Sequence, residues 1–190
     1  MMRMMITALA IVWFAATALA QEAATASSKI NLDHGISFVL PEGWEIEKRT
    51  DRRKGDSGRL SVSVACETED CERTQETCTF TLFAEPSDLA DDAQSIAELY
   101  SDPSERYFRL RAVRISTSKD AQFRRMLQPM RIGPRDWQVV ETDARHNMKS
   151  GLFAETFIAG WRVGAICKTC ETGEIRHRGA MAMLESVSKD

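Results

Sequence analysis

The chain has 190 residues, of which 43% are hydrophobic and 28% are charged, and 25 basic residues against 28 acidic ones give a net charge of -3. This composition is typical of one globular domain, and it argues against a disordered, collagen-like or polytopic membrane protein.

The first twenty residues have the pattern of a secretory signal peptide. Arg3 provides a positive start, residues 4–16 are almost all apolar, and Ala18-Leu19-Ala20 is a small-x-small cleavage signal. We therefore expect a Sec-type signal at 1–20 with cleavage after Ala20, a flexible lead-in at 21–29 and a single domain at 30–190. No second hydrophobic run follows, so we expect no transmembrane span after cleavage and a periplasmic or secreted location.

Strands dominate the first half of the predicted domain. Residues 36–46 form two predicted strands separated by a proline, and apolar residues alternate again in 60–66 and in 77–82. The last two segments predict a hairpin. A register that pairs Cys66 with Cys78 places every inward residue opposite another inward residue, and it favours a Cys66–Cys78 disulfide.

Helix and strand signals alternate in the middle of the chain. Residues 87–101 predict a helix that starts at Ser87 or Asp88 and ends before a proline. Residues 108–115 alternate between apolar residues and arginines and then slip phase, which predicts a strand with a bulge. Apolar residues at helical spacing over 123–130 predict a short helix.

The last third of the chain contains three predicted strands and a final helix. The strands cover 137–142, 152–158 and 161–167, with a tight turn at Ala159-Gly160, and the helix covers 175–187. Strands followed by helices among strands predict the α+β class, an antiparallel β-sheet covered by helices.

Two segments resemble a known superfamily. The opening Gly35-Ile36-Ser37-Phe38-Val39-Leu40-Pro41-Glu42-Gly43-Trp44 resembles the start of the Mog1/PsbP-like superfamily, whose members often begin with a strand that ends in Leu-Pro-x-Gly-Trp. Residues 182–187 are similar to the last helix of that superfamily. The resemblance implies an α/β/α sandwich that serves mostly as a non-enzymatic binding module, and it supplies no catalytic residue.

Five cysteines in an exported chain suggest disulfides. Cys167 and Cys170 form a Cys-x-x-Cys motif at a strand end, which we interpret as a local bridge before the final helix. Two alternatives stay open for this motif. One is a redox-active dithiol, and the other is a zinc site in which His177 and one distant cysteine join the pair.

Cys71 is left over if the Cys66–Cys78 and Cys167–Cys170 bridges both form. Four acidic residues surround it, and nearby carboxylates disfavour a reactive thiolate. The pairings Cys66–Cys71 and Cys71–Cys78 stay open.

The sequence lacks the common catalytic signatures. It contains no Gly-x-Ser-x-Gly and no His-Glu-x-x-His. His34, His146 and His177 fall in segments typical of solvated polar residues, and a hydrolase would need a pocket at one of the last two. We therefore expect no catalytic residue, no cofactor and no metal, and a binding role rather than an enzymatic one.

Charge is segregated along the chain. Residues 67–98 contain ten acidic residues against one arginine, a net charge of -9, and residues 106–135 contain nine basic residues against one aspartate, a net charge of +8. The blocks could neutralise each other within the fold as solvated faces. The basic block could instead bind an anionic partner, because the forked arginine side chain suits carboxylates and phosphates.

The functional hypothesis from the sequence is a binding or accessory protein of the cell envelope. Its partner would be an acidic protein, an anionic lipid head group or a cell-wall polymer, and no nucleic acid is expected. The alternative is a thiol-disulfide or metal-handling protein that uses Cys167 and Cys170. The candidate contact residues for an anionic partner are Arg109, Arg111, Arg114, Arg124 and Arg125.

Overall fold

The computed structural model describes residues 27–52, 58–89 and 91–190. The predicted signal peptide and the lead-in up to residue 26 lie outside the described residues. The described residues form ten strands and four helices. The strands are β1 (Lys29–Asp33), β2 (Ile36–Val39), β3 (Trp44–Asp51), β4 (Arg59–Cys66), β5 (Thr77–Pro86), β6 (Gln122–Ile132), β7 (Arg135–Asp143), β8 (Ser150–Ile158), β9 (Trp161–Thr169) and β10 (Ser188–Lys189). The helices are α1 (Glu69–Thr74), α2 (Asp92–Leu99), α3 (Pro103–Thr117) and α4 (Arg178–Ser186).

The strands form two antiparallel sheets. The larger sheet has seven strands in the order β3-β4-β5-β9-β8-β7-β6, and the smaller has three in the order β1-β2-β10. The predicted α+β class with an antiparallel sheet is confirmed. None of the helices in the described part of the chain combines the length and the apolar character needed to cross a bilayer.

The main core lies between the seven-stranded sheet and a layer made of the small sheet and α4. Phe38 of β2 stacks on Phe80 of β5 with ring centroids 4.1 Å apart, and Met183 and Leu184 of α4 are fully buried. Helices α2 and α3 pack on the opposite face of the large sheet. Strands β6, β7, β8 and β9, which contact these helices, therefore present alternate side chains to the two layers.

The Leu-Pro-x-Gly-Trp segment positions a core tryptophan. Gly43 has φ +76°, a left-handed conformation that glycine adopts at low cost, and the Trp44 amide donates to the carbonyl of Pro41 at 3.2 Å. The turn directs Trp44 onto Gly179 in the first turn of α4. The Val39 amide also donates to the Ser186 hydroxyl at 2.8 Å, so the two segments that carry the superfamily resemblance contact each other.

Two predicted elements are wrong. Residues 108–115 belong to helix α3, because Asp102 caps the helix by accepting from the Ser104 amide and Pro103 suits its first position. Their alternation did not mark a buried strand face, since Phe108 is 60% exposed. The prediction of a strand also did not take into account that Asp102-Pro103 is a helix start.

Residues 123–130 belong to strand β6 rather than to a helix. The strand pairs with β7, and two register shifts interrupt its alternation. Phe123 and Leu127 pack against the same apolar cluster, and residues four apart share a face in a strand as well as in a helix, so their spacing imitates helical spacing. Pro129 is accommodated because β6 lies at the edge of the sheet.

Helix α2 is shorter than the predicted helix over 87–101. It starts after Asp91, whose carboxylate accepts from the Ala93 amide at 2.8 Å, rather than after Ser87 or Asp88. The chain then turns at Tyr100 and enters α3. Asp102-Pro103 therefore separates two helices, as a stop for the first and a start for the second.

Candidate functional site

The disulfides differ from the predicted pairs. Cys78 of β5 lies directly opposite Cys167 of β9, with Cα atoms 4.0 Å apart, and these two buried residues are bonded. The predicted Cys66–Cys78 bridge is wrong because Val64, not Cys66, is the β4 partner of Cys78. Alternation fixes which face a side chain occupies, and a shift of two residues leaves that face unchanged.

Cys71 is not left over, since it is bonded to Cys66 at a Cα distance of 5.6 Å. The predicted Cys167–Cys170 bridge is also wrong. Cys170 is a partly exposed free thiol whose nearest partners include Gln75 and Met148. Cys167 points into the core from β9, and a residue three positions later points the other way.

The zinc hypothesis for Cys167, Cys170 and His177 is wrong because the sulfur of Cys167 is bonded to Cys78. Within 27–52, 58–89 and 91–190, no three His, Cys, Asp or Glu side chains are grouped so that they could hold a metal ion.

His177 is a core residue rather than a solvated one. It is 2% exposed, and its Nε2 atom lies 2.8 Å from the hydroxyl oxygen of the fully buried Ser150. Burial lowers the pKa of His177 to about 4, so the ring is neutral at pH 7. Because both side chains are buried, this pair is a contact within the protein interior.

The other two histidines occupy the surface regions predicted for them. His34 lies in the β1–β2 turn, where its ring stacks on Trp161 with centroids 3.7 Å apart. His146 is exposed in the turn between β7 and β8. Neither residue lines a described cavity.

A buried carboxylate anchors the helices to the sheet. Glu155 of β8 is 2% exposed, and its Oε2 atom accepts hydrogen bonds from Tyr100 at 2.5 Å and from Arg109 Nε at 2.7 Å. Arg109 also pairs with Glu105 one turn earlier on α3. Burial and the adjacent Glu155 carboxylate raise the pKa of Tyr100, which keeps its hydroxyl a donor.

This cluster changes the role of Arg109. Its side chain is 11% exposed and is committed to two carboxylates, so it is a positioning residue of α3 and not a free contact for a partner. Glu155 was missed from the sequence. The available signal was a single acidic residue within the otherwise uncharged segment 152–158, because an isolated charge on a buried strand requires a partner.

Arg124 and Arg125 are also engaged within the fold. Both lie near Glu141 of β7, at 3.9 and 3.5 Å, and Arg124 donates to the carbonyl of Gly173 at 2.7 Å. Glu141 follows Val140, which faces α3, so its side chain points to the opposite face of the sheet. The five candidate arginines therefore do not form one surface.

Arg111 and Arg114 remain available on α3. Both are exposed, and neither makes an ion pair or a side-chain hydrogen bond with any described residue. They border a groove of about 440 Å³ whose other lining residues are Tyr107, Leu110 and Phe123. Tyr107 and the adjacent Phe108 are 58% and 60% exposed, which adds aromatic surface beside the two charges.

The acidic block forms few contacts with the basic block, since Asp92 acts on the Arg135 guanidinium only at a distance longer than an ion pair. Among the described side chains, no ion pair joins residues 67–98 to residues 106–135. Two acidic residues of the first block accept hydrogen bonds from backbone amides instead. Glu76 accepts from the amides of Gly179 and Ala180. Asp92 accepts from the amides of Ala159 and Gly160. The exposed arginines of α3 therefore lack an internal counterion from that block.

These features describe a small antiparallel α+β protein with a buried carboxylate cluster and an arginine-lined groove. Comparison of the chain with protein-family models, with curated proteins and with solved structures finds no match. The resemblance to the Mog1/PsbP-like superfamily stays a prediction.

Proposed function

We propose that this chain is a non-enzymatic binding protein that docks an acidic segment of a partner protein in the α3 groove. The observation that carries the proposal is the pair of exposed arginines, Arg111 and Arg114, beside an apolar groove and without carboxylate partners among the described residues. Unpaired guanidinium groups at a concave surface favour a partner that supplies carboxylates.

The geometry favours a protein segment over a flat anionic surface. Leu110 and Phe123 line a depression that can accept one apolar side chain. Arg111 and Arg114 are three residues apart, so they lie on one side of the helix and can hold acidic residues that flank that side chain. Exposed aromatic residues such as Tyr107 and Phe108 are typical anchors of protein interfaces.

We propose further that the protein works after export, in the periplasm or outside the cell. The signal-peptide pattern of residues 1–20 supports this, and so do two disulfides, which persist in oxidising compartments. Helices on both faces of the large sheet support an α/β/α sandwich as the finer description of the fold.

The test is binding of a fluorescent acidic pentapeptide with a central phenylalanine, measured by polarisation at several NaCl concentrations. We expect affinity to fall with salt and to fall about tenfold in the Arg111→Ser/Arg114→Ser variant. The matched control is Arg124→Ser/Arg125→Ser, which removes the same charge from the opposite face and should bind as the unaltered protein does.

Three outcomes would contradict the proposal. The first is that the peptide does not bind, and the second is that the two double variants weaken binding equally. The third is that the protein binds phosphatidylglycerol vesicles through Arg111 and Arg114 but does not bind the peptide. That result would show that the groove binds a lipid surface.

A further inference from the structure

A second concave site lies on the helix-covered face, between α2 and the strands β5, β8 and β9. It has a volume of about 590 Å³ and shares no lining residue with the α3 groove. Phe83, Phe157 and Arg162 line it from the sheet, and Ser95 and Leu99 line it from α2. Its size falls within the range of small-molecule sites.

Arg162 is the unusual group in this cleft. Its guanidinium carbon lies 3.6 Å from the centroid of the Phe83 ring, and its side chain is only 24% exposed. The buried Nε atom has no hydrogen-bond partner among the described residues. The Nε atom forms an ion pair with Glu155 Oε1 at 3.7 Å, a separation that is beyond hydrogen-bond distance.

The ion pair with Glu155 therefore leaves the hydrogen-bond donors of Arg162 unused within the fold and able to bind a ligand. A guanidinium carries five N–H donors, and buried donors are normally satisfied. No described residue accepts a hydrogen bond from Arg162. The neighbouring Arg109, in contrast, donates hydrogen bonds to Glu105 and Glu155. The contact with the Phe83 ring restrains the Arg162 guanidinium, which preorganises it for an acceptor.

The remaining lining residues restrict the chemical class of ligand that the cleft can bind. Phe83, Phe157 and Leu99 give the cleft an apolar wall. Its charged lining residues are Arg59 and Arg162 against Asp88 and Glu98, so their formal charges balance. Those two carboxylates disfavour a dianion such as a phosphate ester. A monocarboxylate with an apolar body satisfies both the guanidinium and the wall.

We propose that this cleft binds a small organic monocarboxylate, with the carboxylate on Arg162 and an aryl or alkyl body against Phe83 and Phe157. The site is independent of the α3 groove, so either proposal can hold without the other.

The test is calorimetric titration of the full chain with 4-phenylbutyrate and, separately, with 4-phenylbutyramide, which keeps the body and removes the charge. We expect one saturable site for the acid and binding at least tenfold weaker for the amide. Arg162→Met should reduce acid binding at least tenfold. Leu99→Trp should abolish it by filling the cleft while Arg162 stays in place, which covers the case in which Arg162→Met does not fold.

The control is Arg111→Ser/Arg114→Ser, which should bind the acid with unchanged affinity, so that failure of this proposal is distinguishable from failure of the proposed function. Absence of saturable binding by the unaltered protein up to 10 mM acid would overturn the inference. Equal affinity for acid and amide would overturn it too, as would unchanged acid binding in a folded Arg162→Met or Leu99→Trp variant.

Discussion

A few buried polar contacts fix the positions of individual side chains in this protein. Glu155 shows the principle, since one carboxylate on the central part of the sheet receives hydrogen bonds from Tyr100 and from α3 through Arg109. Removing one partner of a buried ion pair leaves an uncompensated charge and typically costs about 3 to 5 kcal/mol. Arg109 therefore belongs to the fold, whereas Arg111, two residues away, belongs to the surface.

His177 predicts a specific pH dependence at the same scale. Its pKa is about 4 in the folded protein against an ordinary value of 6.5, because burial disfavours the charged ring. As pH falls from 6.5 towards 4, the unfolded chain takes up a proton that the folded chain does not, so the free energy of unfolding decreases. The expected slope approaches about 1.4 kcal/mol per pH unit within this window and vanishes above it.

Urea unfolding at pH 7, 6, 5 and 4.5 measures this slope, and the His177→Gln variant should flatten it. Glu76 acts in the opposite direction, because burial raises the pKa of its carboxyl, but this contribution is present in both proteins and cancels in the comparison. Identical slopes in the two proteins would show that His177 is not held neutral.

At the scale of elements, α4 is held by groups that are distant in sequence. The Glu76 carboxylate accepts from the amides of Gly179 and Ala180, which replaces the missing side-chain cap at His177. Trp44 packs against Gly179 on the same turn. A helix of nine residues gains most of its stability from such tertiary contacts.

A methyl group at position 179 is expected to displace Trp44. An added Cβ would lie 2.7 Å from Cε2 and 2.9 Å from Nε1 of the indole. Gly179→Ala should therefore lower the free energy of unfolding by about 1 to 3 kcal/mol, despite the higher helix propensity of alanine.

A double-mutant cycle with Trp44→Leu isolates the contact. Because leucine vacates the space of the indole, the added methyl group should cost at least about 1 kcal/mol less in the Trp44→Leu background, as measured by urea unfolding. Strict additivity would mean that the alanine acts through the backbone and not through Trp44.

For the whole molecule, the disulfides differ in what they constrain. Cys78–Cys167 joins residues 89 positions apart, whereas Cys66–Cys71 joins residues 5 positions apart. In the chain-entropy model the longer loop stabilises by about 4 to 5 kcal/mol and the shorter by about 2 kcal/mol. We expect Cys78→Ala/Cys167→Ala to lose more stability than Cys66→Ala/Cys71→Ala.

Urea unfolding without reductant, in a Cys170→Ala background that prevents thiol exchange, measures the difference. Mass spectrometry of non-reduced digests of the unaltered chain should recover these two linkages and a free Cys170. Equal destabilisation of the two double variants would contradict the expected difference, and a Cys66–Cys78 linkage would contradict the pairing itself.

The arrangement of charge on the protein surface is also determined only at the scale of the whole molecule. The acidic and basic blocks follow from the sequence, but their separation in space depends on the chain path. Arg109 turns inward and Arg124 and Arg125 turn to the far face. Of the five candidate arginines, Arg111 and Arg114 on the outer side of α3 are the ones without an ion pair among the described residues.

Strands with a regular period were predictable from the sequence. Alternation in 60–66, 137–142, 152–158 and 161–167 corresponds to β4, β7, β8 and β9, because a strand that is buried on one or both faces restricts every second side chain. The wrong predictions fell at α3 and β6. In α3 the outward residues Tyr107 and Phe108 are apolar, and in β6 two bulges break the period.

Sequence by itself determined the fold class, the strand faces, the turn glycines and the presence of disulfides, because these depend on backbone geometry and composition over a few residues. Only the tertiary structure decided which cysteines pair, which arginines stay free and that Arg162 meets a cleft. Each of those depends on strand register and on helix placement, and therefore on contacts between residues that are far apart along the chain.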